Sequence, residues 1–260
     1  MTDNNYINKG ICIWCQKSIP EISFDNEPHI IPHALGCDDI GFDICDSCNH
    51  YFGTAAKGEC NTNLVFSEVF KTFSLFTSNR DENSWKQYRS AYFKYEHKKN
   101  LITLKQPFRL QSLTRQFKRS LYEVFLQKYH KETGRGLDKE MDDVRNFARY
   151  GNGNLSVYYV ANKVFLGAQD KTVFSLGNLE EVKNYGYYMF WFMSQVFFIE
   201  IIPCRAMLMK DKFLNEYAQK LIINVDGNQG IIELVDIRQL DFFMQRWSRK
   251  NIDTNNNLHQ

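Results

Sequence analysis

The stretch that decides the fold is "EPHIIPHALGCDDIGFDICDSCNHYFG", Glu27 to Gly53. It holds three histidines and three cysteines, although the 260-residue chain has only six and seven of them. A second cysteine pair, Cys12 and Cys15, stands just upstream in "CIWC". Cys12-x-x-Cys15 and Cys45-x-x-Cys48 are separated by residues 16–44. Each Cys-x-x-Cys can turn as a tight knuckle that aims two sulfurs at one ion, and two knuckles complete a tetrahedral four-thiolate site suited to zinc. A module of some fifty residues buries little apolar surface, so a metal would supply the missing stability. A dithiol redox pair is the weaker alternative, because no βαβ pattern surrounds either knuckle. Cys37, Cys60 and Cys204 lack partners at ligand spacing and read as small core residues, although Cys37 or a histidine could substitute as a ligand.

The composition is that of a folded chain, with 43% hydrophobic, 15% aromatic and 24% charged residues. A net charge of +2 gives no general argument for nucleic-acid binding, which must rest on local patches. The start, "MTDNNYINKG", is polar and carries no apolar leader segment. The most apolar run, "YYMFWFMSQVFFIEIIP" from Tyr187 to Pro203, is interrupted by Ser194, Gln195 and Glu200. It falls short of the roughly 20 apolar residues of a membrane span and reads as buried strand or helix. The expectation is a cytoplasmic protein without a membrane partner, whose cysteines are thiols or metal ligands rather than disulfides.

Beyond "GTAAKGECNTN", Gly53–Asn63, which reads as a loop or linker, the texture changes. "LVFSEVFKTFSLF" has helical spacing at Val65, Val69, Phe73 and Phe76. "SLTRQFKRSLYEVFLQKYHKETG" predicts an amphipathic helix stopped by Gly134. "DKEMDDVRNFARYGNGN" predicts a shorter one between Asp138 as N-cap and Gly151. "LSVYYVA" and "KTVFSL" read as strands, and "KLIINVDGNQGIIELVDI" as a hairpin around Asp226–Gly230. A last helix is expected over "DIRQLDFFMQRWSRKN", carrying Leu240, Phe243, Met244 and Trp247. The fold class is α+β: a small zinc-bound module over residues 1–60 and a larger α+β domain over residues 61–260.

The order "HIIP", "ALG", "CDSCN" and "FG", framed by the two knuckles, resembles the HNH endonucleases, the zinc-stapled branch of the ββα-metal nucleases. The resemblance covers residues 11–53, and a weaker echo continues in "RSLYEVFLQKYHKETG" and "DDVRNFARYGNG". It implies that His29 is a general base, taking a proton from the water that attacks phosphorus. It implies that Asn49, directly after Cys48, helps hold a catalytic magnesium or manganese ion, which favours oxygen ligands. The zinc would fix geometry without touching substrate. The resemblance also implies DNA as the partner, a restriction or phage-defence setting, and a homodimer as one way such enzymes cut both strands.

The sequence departs from that pattern at Pro28, where an acidic residue or histidine usually stands as a second metal ligand. Glu27, one residue back, is the stand-in considered. Asp39 and Asp43 are further candidates for a metal ligand or for orienting His29. His33 and His50 read as surface or loop residues. The rival expectation is a catalytically decayed zinc-binding module that binds nucleic acid or protein, with Pro28 as the mark of decay.

Residues 80–119 carry eleven lysines and arginines against three acids, with Tyr88, Tyr92, Phe93 and Tyr95 interleaved. Lys94, Lys98, Lys99, Arg115, Lys118 and Arg119 are the expected phosphate contacts. The competing reading is a solvated basic face over an aromatic core.

Overall fold

The first Cys-x-x-Cys closes on itself. In the computed structural model Gln16 N–H donates to Cys12 O at 2.8 Å, and Cys12 N–H to Lys17 O at 2.9 Å. Gln16 takes a positive φ of 59° to make the turn. The structure describes residues 5–54, 60–77, 86–99, 101–106, 108–161, 174–193, 195–218 and 230–243. The second hairpin of the module is pared to its minimum. His29 and Ile40 form one antiparallel bridge, flanked by Ile30 N–H to Asp39 O at 2.9 Å and Gly41 N–H to Pro28 O at 2.8 Å. Helix α1, Asp46–Gly53, starts directly after Cys45. Hairpin and helix enclose a small core in which Trp14 meets Phe52 edge-on, with ring centroids 4.8 Å apart.

Helix α2, Thr62–Thr77, buries Val65, Val69 and Phe73 at the spacing the sequence predicts. Strands β1, Phe93–Glu96, and β2, Leu101–Leu104, form an antiparallel hairpin. Helix α3, Leu110–Thr133, is the central element, buried along most of its 24 residues. It stops where expected, at Gly134 with φ 68°, whose N–H caps His130 O. The next segment is more broken than its periodicity suggests. A 3₁₀ turn over Lys139–Met141 leads into α4, Asp142–Arg145, and then a π turn ending at Gly151. Asp138 stands at the N-cap position but makes no cap bond, because its carboxylate pairs with Arg135.

A four-stranded antiparallel sheet follows: β3, Val157–Val160; β4, Tyr187–Phe192; β5, Gln195–Glu200; and β6, Ile231–Glu233, in the order β4-β5-β3-β6. Between β3 and β4 lies the short helix α5, Leu179–Tyr185; between β5 and β6 lies α6, Pro203–Lys212. The apolar run Tyr187–Pro203 is therefore a strand pair. The Val196–Ile199 stretch of β5 is apolar without alternation because it is covered on both faces. Phe197 meets Phe70 of α2 and Phe117 of α3, while Phe198 meets Phe213 beyond α6. No helix among the described residues is long and apolar enough to cross a membrane.

Two expectations change. In "KTVFSL", residues 171–173 lie outside the described residues; of the rest, Phe174 and Ser175 are irregular and Leu176 opens the 3₁₀ turn Leu176–Asn178. The Phe174 ring stacks on Tyr188, which gives it burial without a place in the sheet. After β6 the chain makes a 3₁₀ turn over Ile237–Gln239, with Asp236 as a capping box, instead of entering a long helix. The first strand and turn of the hairpin expected around Asp226–Gly230, up to residue 229, and the expected helix beyond Phe243 lie outside the described residues.

The buried core runs unbroken from Tyr6 in the module to Phe242. Polar clamps accompany it. Asp43, itself at φ 55°, accepts the N–H groups of Asn8, Lys9 and Gly10 and pairs with His130 of α3 at 2.9 Å. Burial opposes the Asp43 charge, but His130 and the three amides outweigh it and hold the carboxyl below its usual range. Gly136 N–H donates to His130 Nδ1, which leaves the proton on Nε2, facing Asp43. A Cβ on Gly136 would lie 2.6 Å from His130 Cβ and 2.9 Å from its ring, so only glycine permits this approach. Asp39 pairs with Lys128 and Lys131 of α3. Arg145 reaches Ile13 O at 2.6 Å and Gly136 O at 2.7 Å.

Glu123 of α3 is fully buried with one carboxylate oxygen unpartnered. Burial raises its pKa to about 8, and bonds to Thr62 and Gln127 offset only part of that. The folded state therefore keeps a proton that the unfolded chain releases above its ordinary value of 4.5. The stability of this chain relative to Glu123→Gln should fall as pH rises between those values. At about 1.4 kcal/mol per pKa unit, the loss is on the order of a few kcal/mol. Denaturant midpoints of both proteins across that range test it; parallel pH profiles would refute it.

Candidate metal centre and catalytic cleft

The Sγ atoms of Cys12, Cys15, Cys45 and Cys48 all lie within 4.8 Å of one another. A tetrahedral ion with metal–sulfur bonds of about 2.3 Å holds its sulfurs about 3.8 Å apart. Cys15 Sγ and Cys45 Sγ are separated by 3.8 Å. As bare thiols, Cys12, Cys45 and Cys48 conflict. The hydrogen bond from Cys48 pulls Cys12 down to about 5, burial pushes Cys45 up to about 12, and the bond to Cys12 together with burial pushes Cys48 up as well. Only a cation lets all four ionise together, so the cluster fits a zinc ion. Arg149 adds a charge on the outside: its Nε–H points at Cys48 Sγ across 3.4 Å. Cys37 and Cys60 are buried and stand apart from the cluster, and Cys204 is exposed.

The staple orients a cleft of about 550 Å³, lined by Glu27, His29, His33, Asp46, Asn49 and His50 among others. The backbone bridge at His29 sets its contents. Pro28 is turned inward and buried, while Glu27 and His29, two residues apart, share the cleft face as strand alternation requires. Glu27 Oε1 is 3.8 Å from His29 Nε2. On that side His33 Nε2 lies 3.0 Å from His29 Nε2, and Asp38 pairs with the other nitrogen of His33 at 3.1 Å. The His29 Nδ1 is buried without a hydrogen-bond partner. Asn49 comes to the cleft from the first turn of α1.

Asp46 also lines the cleft, but its carboxylate is occupied by Ser23, the amides of Asp25 and Asn26, and the Asn26 side chain. Asp39 and Asp43 are not beside His29: both are directed at α3, Asp39 to its lysines and Asp43 to His130. Neither replaces the oxygen that Pro28 lacks. His33 has an exposed side chain, as its sequence context suggests, yet it is the nearest partner of His29. Its placement four residues after His29, across the 3₁₀ turn His33–Leu35, is the signal that could have found it.

The six expected phosphate contacts divide into two groups. Lys94, Lys98 and Lys99 are exposed on β1 and the turn that follows it. Arg115, Lys118 and Arg119 are fastened inside. Arg115 donates to Gly151 O and Gly153 O, Lys118 to Asn154 Oδ1, and Arg119 to Ala148 O, Arg149 O, Gln116 and Tyr51. Burial lowers the pKa of Lys118.

Residues 12–65 match the HNH endonuclease family. The N-terminal segment is an HNH module. Its matched stretch begins at the first zinc-knuckle cysteine and ends in the first turn of α2. No curated protein and no solved structure matches the chain. The HNH module implies a nuclease-type function that acts on nucleic acid, followed by a larger α+β domain.

Metal analysis of the purified chain should find about one zinc per chain, held by four thiolates. Stripping it with a chelator, or substituting Cys48→Ser, should remove the stoichiometric zinc and lower Tm, because binding energy of such a site is folding energy. Full thermal stability without bound metal would exclude a structural zinc.

Proposed function

We propose that the HNH module is the catalytic part of a metal-dependent endonuclease that hydrolyses phosphodiester bonds in DNA. The reading is carried by one observation: Glu27, His29 and Asn49 face a single cleft built by the four-cysteine cluster. Glu27 and Asn49 offer the oxygen donors that magnesium or manganese favours, and such ions commonly bind one or two carboxylates plus substrate phosphate. When bound, the ion would neutralise charge developing on the phosphate and the leaving oxygen.

His29 takes the proton of the attacking water through Nε2, the nitrogen beside Glu27 and His33. His33, 3.0 Å away and open to solvent, gives that proton an exit, with Asp38 stabilising the charge behind it. The larger domain, residues 61–260, serves recognition of substrate or partner. On the resemblance alone, we assign the protein to restriction or defence.

The rival reading, a decayed module that only binds, is favoured by Pro28, which removes one metal oxygen. Plasmid nicking decides between them. With magnesium or manganese the chain should nick supercoiled DNA, and His29→Ala should lose at least about 100-fold in rate, the usual size of a general-base contribution. If the unaltered chain and His29→Ala are equally silent while DNA binding persists, the rival reading holds. His33→Ala should lower kcat by about 10-fold with KM nearly unchanged, since it assists the proton without holding substrate. An equal loss in KM alone would assign His33 to binding instead.

A further inference from the structure

A second cleft, of about 520 Å³, lies on the other side of α1 from the catalytic one. The two are neighbouring stripes of one helix. Asp46, Asn49, His50 and Gly53 line the first, Ser47, His50, Tyr51 and Thr54 the second, and His50 is common to both. The far wall of the second cleft is built by Gln116 and Arg119 of α3 and by Arg149.

Two guanidinium groups crowd one ring here. Arg149 Cζ lies 3.6 Å and Arg119 Cζ 5.8 Å from the centre of the Tyr51 ring. Arg119 is only 6% exposed, and its partners are neutral oxygens: two backbone carbonyls, the Gln116 amide and the Tyr51 hydroxyl. Among the described residues no carboxylate pairs with either arginine; the acids that pair with arginine do so at Arg135, Arg145 and Arg238. Glu123, the carboxyl felt by Arg119, is mostly protonated at neutral pH because burial raises it to about 8. The N-terminus of the 16-residue helix α2 also lines the cleft through Thr62, adding the positive end of its dipole. Arg149 is half-buried and has Cys48 Sγ on its Nε side, whereas Arg119 is a buried cation bonded to neutral oxygens alone, and an anion entering the cleft relieves the cost of that buried charge. Arginine forks suit phosphate oxygens in particular.

The geometry points to this cleft as a binding subsite for a backbone phosphate of the same nucleic acid strand, adjacent to the one cut at His29. The inference rests on the nuclease reading for the identity of its ligand. A strand crossing α1 passes from the His29 stripe to the Arg149 stripe, with His50 between them. It also gives Arg119 a role different from the direct surface contact its sequence context suggests: it supplies field from beneath, while Arg149 presents the fork.

The decisive variant is Gln116→Glu. The new carboxylate can accept the same bond from Arg119 Nη1, at 2.9 Å in the parent, so the fold keeps its contact while the cation pair gains a counter-ion. Affinity for a short DNA duplex is measured over a salt series with the zinc-loaded full chain in the His29→Ala background, without added magnesium. Gln116→Glu should weaken binding about 10-fold at low salt and reduce the slope of log K against log salt by about one phosphate contact. Arg149→Gln should do the same, with zinc content checked because Arg149 touches Cys48. If Arg149→Gln loses zinc, Gln116→Glu alone decides. Parental affinity and slope in zinc-loaded Gln116→Glu would overturn the subsite, as would an absence of any DNA binding by the parent. The two readings fail separately. A chain that shows the slope change but never nicks DNA keeps the subsite and loses the nuclease. A chain that nicks DNA and keeps its slope in Gln116→Glu does the reverse.

Discussion

Four sulfurs within 4.8 Å of one another are the constraint on which the module depends. Its regular structure is slight: two isolated bridges and one eight-residue helix. Bridges of that size are not stable alone, and a short helix is marginal in water. Joining both knuckles through one ion fixes the distance between the His29 bridge and the start of α1, and with it the distance between His29 and Asn49. As thiols the cysteines pull apart in acidity: the bond from Cys48 lowers Cys12, burial raises Cys45, and the bond to Cys12 with burial raises Cys48.

The module does not stand free of the rest of the chain. Acids from its second hairpin face donors on α3, Asp39 the lysines Lys128 and Lys131 and Asp43 the His130 imidazole. Arg145 and Arg149 reach back from the following segment to Ile13 O and Cys48 Sγ. The buried Asp43–His130 pair is satisfied at every polar atom the geometry allows, which is the condition under which a buried ionisable pair is tolerated. These contacts make α3 a shared floor: one end supports the four-cysteine module, and Phe117 and Phe125 support the four-stranded sheet.

Pro28 illustrates how a substitution in a pattern is read differently in three dimensions. In the linear motif it deletes a ligand. In the strand it occupies the inward position, with its carbonyl in the bridge to Gly41, and the alternation brings Glu27 to the face that His29 occupies. Of the acids that follow in sequence, Asp38 is taken by His33, and Asp39 and Asp43 are held at α3.

Much was legible in the sequence because its signals are local. Cysteine spacing, the "HIIP…CDSCN" order, the helix stops at Gly134 and Gly151 and the α+β class all follow from periodicity, φ preferences and ligand chemistry within short stretches. What only the tertiary structure decided concerns direction. The sequence could not say that Arg115, Lys118 and Arg119 face inward while Lys94, Lys98 and Lys99 face solvent, because a basic helix looks the same whether its partners are carbonyls 30 residues away or water. Nor could it resolve the Tyr187–Pro203 run into two strands, since a strand buried on both faces loses the alternation that marks it. The pairing of Arg149 with Tyr51 and Cys48 arises from elements brought together across the chain. Such proximity is set by packing, which no local pattern encodes.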